Sequence, residues 1–349
     1  MSLEKPVRRK LDLKGGRVDL THGAGGRAMG QLIEDIFLDA FDNAWLRAGN
    51  DQSAFDVAAG RMVMTTDAYV VSPIFFPGGD IGRLAVNGTI NDIAMAGARP
   101  LYLSASFVIE EGFRLADLKR VAMSMGEASR AAGVPIITGD TKVVERGKAD
   151  KLFVSTAGVG VAPPGLILSS DAARPGDVVI ISGTIGDHGV AVMSKRENLE
   201  FETEILSDTA ALHGLVADMV AAAGPTLRVM RDPTRGGLAA TLNELAHQSG
   251  VGFSIEEEAI PVRAEVAAAC EFLGLDPLNV ANEGKLVAIV APEGADGLIA
   301  AMRAHPLGAQ ASVIGRATED PNRFVEMRTA FGGGRIVDWL AGEQLPRIC

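Results

Sequence analysis

Four aspartates lie in segments that are rich in glycine, threonine and asparagine. Asp67 ends MVMTTD, Asp92 ends NGTIND, Asp140 ends IITGD, and Asp232 lies within MRDPTRGG. Any one of them alone is explained as a turn residue, because aspartate is common in turns. Two of them, however, end predicted strands, where ligand sites of α/β proteins gather, and carboxylate oxygens are preferred ligands of Mg²⁺. We therefore predict that the four form one site for Mg²⁺ and nucleotide phosphates.

Three further polar residues are candidates for the same site. Asn91 directly precedes Asp92, and we expect it to contact the nucleotide. Lys142 follows Asp140 by two residues and is a candidate phosphate ligand, although most lysines are simply exposed. Glu283, in ANEGKL, stands just before a predicted buried strand. A carboxylate at that position can act as a general base or can cap a turn.

A glycine-rich segment, THGAGGRAMG, precedes a predicted helix. Gly23, Gly25 and Gly26 would let the backbone approach an anion, which the helix N-terminus also favours. The segment is not a GxxxxGK[ST] phosphate loop, and such glycine clusters are more often plain turns, so it is a weak signal. His188 lies in another glycine-rich segment, GTIGDHG, and we interpret it as a hydrogen-bonded turn histidine.

The chain has two cysteines, and they differ in setting. Cys270 shares a helical apolar stripe with Val266, Ala269 and Leu273, which predicts a buried structural residue. Cys349 is the last residue, where we expect no packed core. A prenylation box needs its cysteine four positions from the end, and a reducing cytosol disfavours a disulfide, so neither explains Cys349.

The elements that must position these residues alternate between strand-like and helix-like segments. YLSASFVIE alternates as a strand does, and LADLKRVAMSMGEASRAAG has the pattern of a helix that ends at Gly133. A Pro/Gly-rich stretch, APPGLILSSDAARPGD, predicts a domain boundary near residues 162–176. We predict two α/β or α+β domains of similar size. The predicted division is an arm at 1–20, domains at 21–165 and 166–330, and a mobile tail at 331–349.

Composition excludes several classes of protein. The net charge of −11 argues against a nucleic-acid partner, because binding phosphates along a nucleic acid needs a basic surface. No apolar run is long enough to span a bilayer, and the first residues lack the apolar region of a secretory signal. These features, with the low cysteine content, predict a cytoplasmic protein without a membrane partner.

Eight blocks occur in an order that is typical of a known family. They are HGAGGRAM, TTDAYVV, VNGTINDIAMAGARP, TGDTKVVERG, SGTIGDHG, RDPTRGGLA, ANEGKL and the terminal PRIC. The sequence from His22 to Cys349 resembles the HypE family of hydrogenase maturation proteins. Several blocks also resemble the wider family of aminoimidazole ribonucleotide synthetase, selenophosphate synthetase and thiamine-phosphate kinase, whereas PRIC narrows the resemblance to HypE.

The resemblance implies a fold, a reaction and partners. It implies two mixed α/β domains of the aminoimidazole ribonucleotide synthetase type, paired in a homodimer, that bind ATP and Mg²⁺. Cys349 would receive a carbamoyl group from the carbamoyltransferase HypF, and ATP would phosphorylate the thiocarbamate oxygen. Loss of phosphate would leave a thiocyanate, whose cyanide passes to iron on the HypC–HypD complex. Glu283 is the best-placed base for the N–H protons, and we assign Cys349, Glu283 and Lys142 as catalytic residues.

Two other functions compete with this interpretation. The first is a small-molecule kinase or synthetase of the same ATP-binding fold, which would need no terminal thiol. The second is a non-catalytic carrier that moves a thiol-bound group between partners. The aspartates and Lys142 argue against the carrier, and turnover of ATP by the modified protein would exclude it.

Overall fold

The computed structural model describes residues 11–24, 26–48, 52–57, 60–199, 204–339 and 347–349, which form two α/β units. The N-terminal unit contains strands β1 (Arg61–Tyr69), β2 (Phe75–Phe76), β3 (Gly79–Asp80), β4 (Arg99–Glu110), β5 (Ile136–Val144) and β6 (Leu152–Ala162). Its helices are α1 (Arg27–Leu32), α2 (Asp39–Phe41), α3 (Ala44–Arg47), α4 (Ile81–Met95) and α5 (Leu115–Ala132).

The main N-terminal sheet has the strand order β1-β6-β4-β5. Strand β4 alternates as predicted, with Leu103, Ala105, Phe107 and Ile109 buried on one face. Helices α4 and α5 cover that face, and α5 ends at Gly133, which has a left-handed φ of 67° as the sequence predicts. The opposite face is called the open face here, because β1 presents its side chains there to solvent.

Two aspartates predicted to end strands lie inside them instead. Asp67 is followed by two more residues of β1, and Asp140 lies in the middle of β5. Strand β5 continues because Thr141 to Val144, which include three β-branched residues, pair with β4. The prediction of strand ends at these aspartates is therefore wrong.

The C-terminal unit is built on a seven-stranded sheet with the order β13-β12-β9-β11-β7-β10-β8. Its strands are β7 (Val178–Ile181), β8 (Leu227–Arg231), β9 (Gly252–Glu256), β10 (Val287–Val290), β11 (Ser312–Thr318), β12 (Val325–Arg328) and β13 (Gly334–Ile336). Its helices are α6 (Asp187–Arg196), α7 (His213–Ala223), α8 (Gly237–Ser249), α9 (Ala264–Leu273) and α10 (Pro292–Ala304).

Both faces of this sheet are covered by helices, which explains the unbroken apolar run of β7. Val178 and Ile180 pack with residues of α7 and α10, whereas Val179 and Ile181 pack with residues of α8. A strand buried on both faces reads as continuous apolar sequence rather than as an alternation. No helix in the described ranges has the length and apolar character to cross a membrane.

Two predictions about the C-terminal third have different outcomes. Cys270 is buried in α9, as its apolar stripe predicts. Gly334, inside the tail predicted at 331–349, begins β13, which pairs with β12 at the sheet edge. The sheet thus extends into the segment that was predicted to be tail.

Candidate active site

Three of the four aspartates lie around one cleft between the two units. Asp67 belongs to β1, Asp92 to α4, and Asp232 directly follows β8. All three line a cleft of about 490 Å³. Thr65 Oγ1 donates a hydrogen bond to Asp92 Oδ2 at 2.9 Å, which joins β1 to α4 at the cleft. The predicted clustering therefore holds for these three.

Two carboxyl groups of the cleft, those of Asp232 and Asp92, have raised pKa values. Desolvation and then the charge of Asp92 raise the pKa of Asp232 to about 7. Desolvation, with a smaller contribution from Asp67, also raises the pKa of Asp92. Repulsion among hard oxygen donors is relieved by a divalent cation, so the donor chemistry suits Mg²⁺. In the described part of the chain, no three acidic, histidine or cysteine side chains are close enough to hold a metal ion alone.

Asp140 and Lys142 lie elsewhere in the protomer. Asp67 pairs with the buried Thr156, so both side chains lie on the helix-covered face of the sheet. Asp140 pairs with Ser106, which lies on the open face. Lys142 Nζ lies 2.9 Å from Asp140 Oδ2, and both side chains are more than half exposed. The expectation that all four aspartates meet within one chain is wrong for Asp140, because neighbouring strand residues point to opposite faces.

One of the predicted glycines, Gly23, lies beside strand β5, which carries Asp140, rather than at the cleft. Gly23 ends a 3₁₀ turn (Leu20–Gly23), and a Cβ added to it would lie 2.8 Å from the Val143 amide nitrogen of β5. Gly26 precedes α1 and has open space beside it. Gly25 lies outside the described residues. Gly23 thus forms a second group of predicted residues with Asp140 and Lys142, which belong to the same strand β5.

Glu283 is buried, with 3% of its surface exposed, and its Oε1 has no hydrogen-bond partner among the described residues. Burial raises its pKa well above the usual range, and the charges of Asp232 and Asp208 raise it further. A buried carboxyl with a raised pKa and an unused oxygen is suited to take up a proton.

The backbone of Glu283 is held by two polar side chains. Asp208 Oδ1 accepts a hydrogen bond from Glu283 N at 3.0 Å. Asn91 Nδ2 donates to the Glu283 carbonyl at 3.2 Å, and Asn91 Oδ1 accepts from Leu212 N at 2.8 Å. Asn91, expected at the nucleotide, therefore supports Glu283 instead, with only 1% of its surface exposed.

The end of the chain, Arg347–Cys349, is called the tail end here and is docked on the protein. Val70 N donates to the Cys349 carbonyl at 3.2 Å, and Ser72 N donates to the Arg347 carbonyl at 3.1 Å. Ile348 is 3% exposed, and Cys349 packs at the edge of the same core. The expectation that Cys349 can join no packed core is therefore wrong. The mobility of the tail stays a prediction, and residues 340–346 lie outside the described residues.

Two residues of the site were missed by sequence reasoning. Tyr69 lies two positions after Asp67 on the same face of β1, and its buried hydroxyl has no hydrogen-bond partner among the described residues. Burial raises its pKa well above the usual range, with further contributions from Asp67 and Glu283. Its spacing of two residues from Asp67 in a predicted strand could have indicated that both side chains lie on one face. Asp208 lies in a loop and carried no such signal.

The chain is similar to known proteins along nearly its whole length. Residues 49–162 match the model for "AIR synthase related protein, N-terminal domain", and residues 174–328 match that for its C-terminal domain. "Carbamoyl dehydratase HypE" of Rhizobium leguminosarum bv. viciae is 78% identical over 345 residues, which cover 99% of each chain.

Two solved structures have similar folds and 50% sequence identity. The first, of hydrogenase maturation protein HypE in complex with ATP, has a TM-score of 0.91 and covers 95% of this chain and 99% of its own. The second, of a HypE–HypF complex, has a TM-score of 0.78 and covers 88% of this chain and 99% of that chain.

Proposed function

Because the chain belongs to the HypE family of carbamoyl dehydratases, we propose that it dehydrates a carbamoyl group carried on the thiol of Cys349. The family resemblance and the mixed α/β fold with two domains of the AIR synthase type are confirmed by the matches. The protein is an enzyme that binds ATP. The reaction on Cys349, and the division of the chain at residues 165 and 166, are proposals.

The observation that carries the proposal is the position of the docked tail end. The Cys349 carbonyl is bonded to Val70, and the preceding residue, Tyr69, has its buried hydroxyl within the electrostatic reach of Glu283 and Asp67. We propose that a group on the Cys349 sulfur reaches the candidate base and the cleft of Asp67, Asp92 and Asp232 from this docked position. Docking thus supplies the proximity that the reaction needs.

The proposed chemistry balances in two steps. The carbamoyl oxygen attacks the γ-phosphorus of ATP, ADP leaves, and the nitrogen loses one N–H proton. The C–O bond then breaks, phosphate leaves with the former carbamoyl oxygen, and the second N–H proton is lost, so that S–C≡N remains. Phosphorylation is needed because an unmodified amide oxygen is a poor leaving group. Glu283 accepts a proton in this scheme.

Mg²⁺ would be held by Asp67, Asp92 and Asp232, whose carboxylates have the oxygen donors that this ion prefers. When bound, it would neutralise charge on the ATP phosphates. Lys142 and Asp140 would contribute to Mg–ATP binding only if a second protomer brought them to the cleft.

The proposed partners are a donor and an acceptor. A HypE relative has been solved with HypF, which supports HypF as the source of the carbamoyl group. We propose the HypC–HypD complex as the iron-bearing acceptor of cyanide. We also propose a cytoplasmic location, since neither cysteine forms a disulfide and the reaction needs a reduced thiol.

The decisive test follows the mass of the C-terminal peptide after incubation with HypF and its substrates. When this protein does not hydrolyse ATP, the C-terminal peptide should gain the mass of one carbamoyl group on Cys349. With Mg–ATP, the same peptide should then lose one water. If the adduct is found on Cys270 instead, or if no water is lost, the proposed function is wrong.

Asp92→Asn should weaken Mg–ATP binding by about tenfold, since even outer partners of metal ligands contribute about 10–100-fold to metal affinity. The amide can still accept the hydrogen bond of Thr65, so the fold should be retained. Calorimetry with ATP at several Mg²⁺ concentrations measures the effect. Asp296→Asn, on the exposed surface of α10, is the matched control. Equal nucleotide affinity and equal Mg²⁺ dependence in both variants would remove Asp92 from the site.

We propose that the protein forms a homodimer through the open face of the N-terminal sheet. Met62 and Met64 lie there with 44% and 74% of their surfaces exposed, and Asp140 and Lys142 share the face. Pairing would bury the methionines and could bring the second group of predicted residues to the cleft of the other protomer.

Met64→Asp should convert this dimer to a monomer, because burying an unpaired carboxylate in an apolar interface is unfavourable. Sedimentation velocity over a range of protein concentrations measures the change. Phe272→Asp replaces a similarly exposed apolar residue, at 72%, and should leave the dimer intact. A monomeric wild-type protein, or a dimeric Met64→Asp variant, would contradict the proposed interface.

A further inference from the structure

His188 makes two hydrogen bonds that determine its protonation. It lies in the first turn of α6 and is completely buried. Its Nε2 is 2.9 Å from the carbonyl oxygen of Ile348, and its Nδ1 is 2.8 Å from Ser207 Oγ. A carbonyl only accepts, so Nε2 must carry the hydrogen, and Nδ1 of the neutral ring accepts from the Ser207 hydroxyl. Burial lowers the pKa of His188, which favours this neutral ring.

The loop that contacts Nδ1 of the His188 ring also holds the backbone of Glu283. Ser207 Oγ accepts a hydrogen bond from Thr209 N at 3.2 Å, which fixes this short loop. Asp208 lies between Ser207 and Thr209 in the chain. Its Oδ1 accepts a hydrogen bond from Glu283 N at 3.0 Å, and its Oδ2 accepts one from Lys285 Nζ at 3.1 Å. The loop therefore contacts His188 through one residue and the backbone of the candidate base through the next.

The tail end is thus held from two sides. The N-terminal unit binds its backbone through the amides of Val70 and Ser72. The α6 helix binds it through His188 and through Arg196, which donates to the Arg347 carbonyl at 2.8 Å. Ile348 is the residue directly before Cys349. Among the described residues, His188 is the only one of these partners that bonds to the Ile348 carbonyl oxygen.

From this geometry we propose that His188 is a positioning residue for the dehydration. By donating from Nε2 to the Ile348 carbonyl, it holds Cys349 at a fixed distance from the loop that also fixes Glu283. The same loop then determines the positions of both the carbamoyl group and its base, Glu283. The inference rests on the proposed function for its catalytic consequence, whereas the docking itself can be tested without any reaction.

The test uses the full-length protein with His188→Leu, which removes both hydrogen bonds, and His188→Gln, which retains an amide donor. The control is His305→Leu, which removes a histidine whose side chain, in the part of the chain that the structure describes, hydrogen-bonds only locally, to Leu307 N. The first measurement is the rate at which iodoacetamide alkylates Cys349 in the unmodified protein, read from the C-terminal peptide. The second is single-turnover water loss from the carbamoylated protein at saturating ATP.

For His188→Leu we expect alkylation to accelerate by about tenfold and water loss to slow by a similar factor, as loss of one buried hydrogen bond predicts. ATP affinity should stay unchanged, and His188→Gln should recover part of both effects. The control should match wild type. If His188→Leu does not fold, Ser207→Ala, which removes the Nδ1 partner together with the acceptor of Thr209 N, should show the same directions with smaller size.

Three outcomes would overturn the inference. Unchanged alkylation in a folded His188→Leu protein would show that His188 does not hold the tail end. Faster alkylation with unchanged water loss would show that the contact does not position the reaction. Equal slowing in His188→Leu and His305→Leu would indicate a general loss of structure. Failure of wild type to lose water would instead refute the proposed function, and the alkylation rates would still decide the docking.

Discussion

Cys349→Ala is expected to abolish carbamoylation and the ATP turnover that depends on it, while Mg–ATP still binds. The variant lacks the sulfur that we propose accepts the carbamoyl group, so no thiocarbamate should form for ATP to phosphorylate. The described residues that line the proposed nucleotide cleft come from β1, α4, β8 and adjoining loops, and none of them belongs to the tail end. The three expectations are measured separately. Mass spectrometry of the C-terminal peptide detects carbamoylation, phosphate release reports ATP turnover, and calorimetry measures Mg–ATP binding.

Cys270→Ala is the matched control for this substitution. Cys270 is 1% exposed, and burial raises its pKa to about 11, so its thiol stays protonated and unreactive at neutral pH. The substitution should lower the free energy of unfolding by about 1 kcal/mol, as small core truncations do. It should leave carbamoylation and water loss unchanged. Water loss in Cys349→Ala, or its absence in a folded Cys270→Ala protein, would contradict the assignment of the thiol.

Glu283→Gln is expected to slow water loss from the carbamoylated protein by about 10²–10⁴-fold, the usual contribution of a general base. The amide has nearly the same shape but cannot take up the N–H proton. Carbamoylation and ATP binding should persist, because the backbone contacts of Glu283 with Asp208 and Asn91 do not involve its side chain. Single-turnover phosphate release measures the effect.

The pH dependence gives an independent test of the same residue. Glu283 must be ionised to accept a proton, and burial raises its pKa. The wild-type rate should therefore rise with pH through a range above that of an ordinary glutamate, and should be lost as the pH falls through it. Glu283→Gln should lose this rising limb, whereas Glu293→Gln, on the exposed first turn of α10, should keep it. A rising limb that persists in Glu283→Gln would assign it to another group.

Local patterns predicted much of the fold. The alternation of Leu103, Ala105, Phe107 and Ile109 specified which face of β4 is buried, and Gly133 marked the end of α5. What could not be predicted was how far strands continue. Asp140 looked like a strand end because aspartate is rare in strands, but pairing with β4 outweighed that local preference.

The site was predictable in its residue types and less so in its geometry. Asp67, Asp92 and Asp232 meet as expected, because their segments converge between the two units. Asp140 does not, since its register with Ser106 points it to the other face of the sheet. The support of Glu283 by Asn91 and Asp208 depends on contacts between distant segments, which no local pattern encodes.

The strand order of the two sheets has a consequence for synthesis on the ribosome. All four strands of the main N-terminal sheet lie between Arg61 and Ala162, so this sheet can form while the rest of the chain is still being made. The apolar β7 strand, in contrast, is flanked by β10 and β11, which are translated much later. At ~5–20 residues per second, the roughly 100 residues between β7 and β10 leave both edges of β7 unpaired for roughly 5–20 s. Because unpaired edges of apolar strands promote aggregation, we expect β7 to be the segment of the nascent C-terminal unit that most needs protection until β10 and β11 emerge.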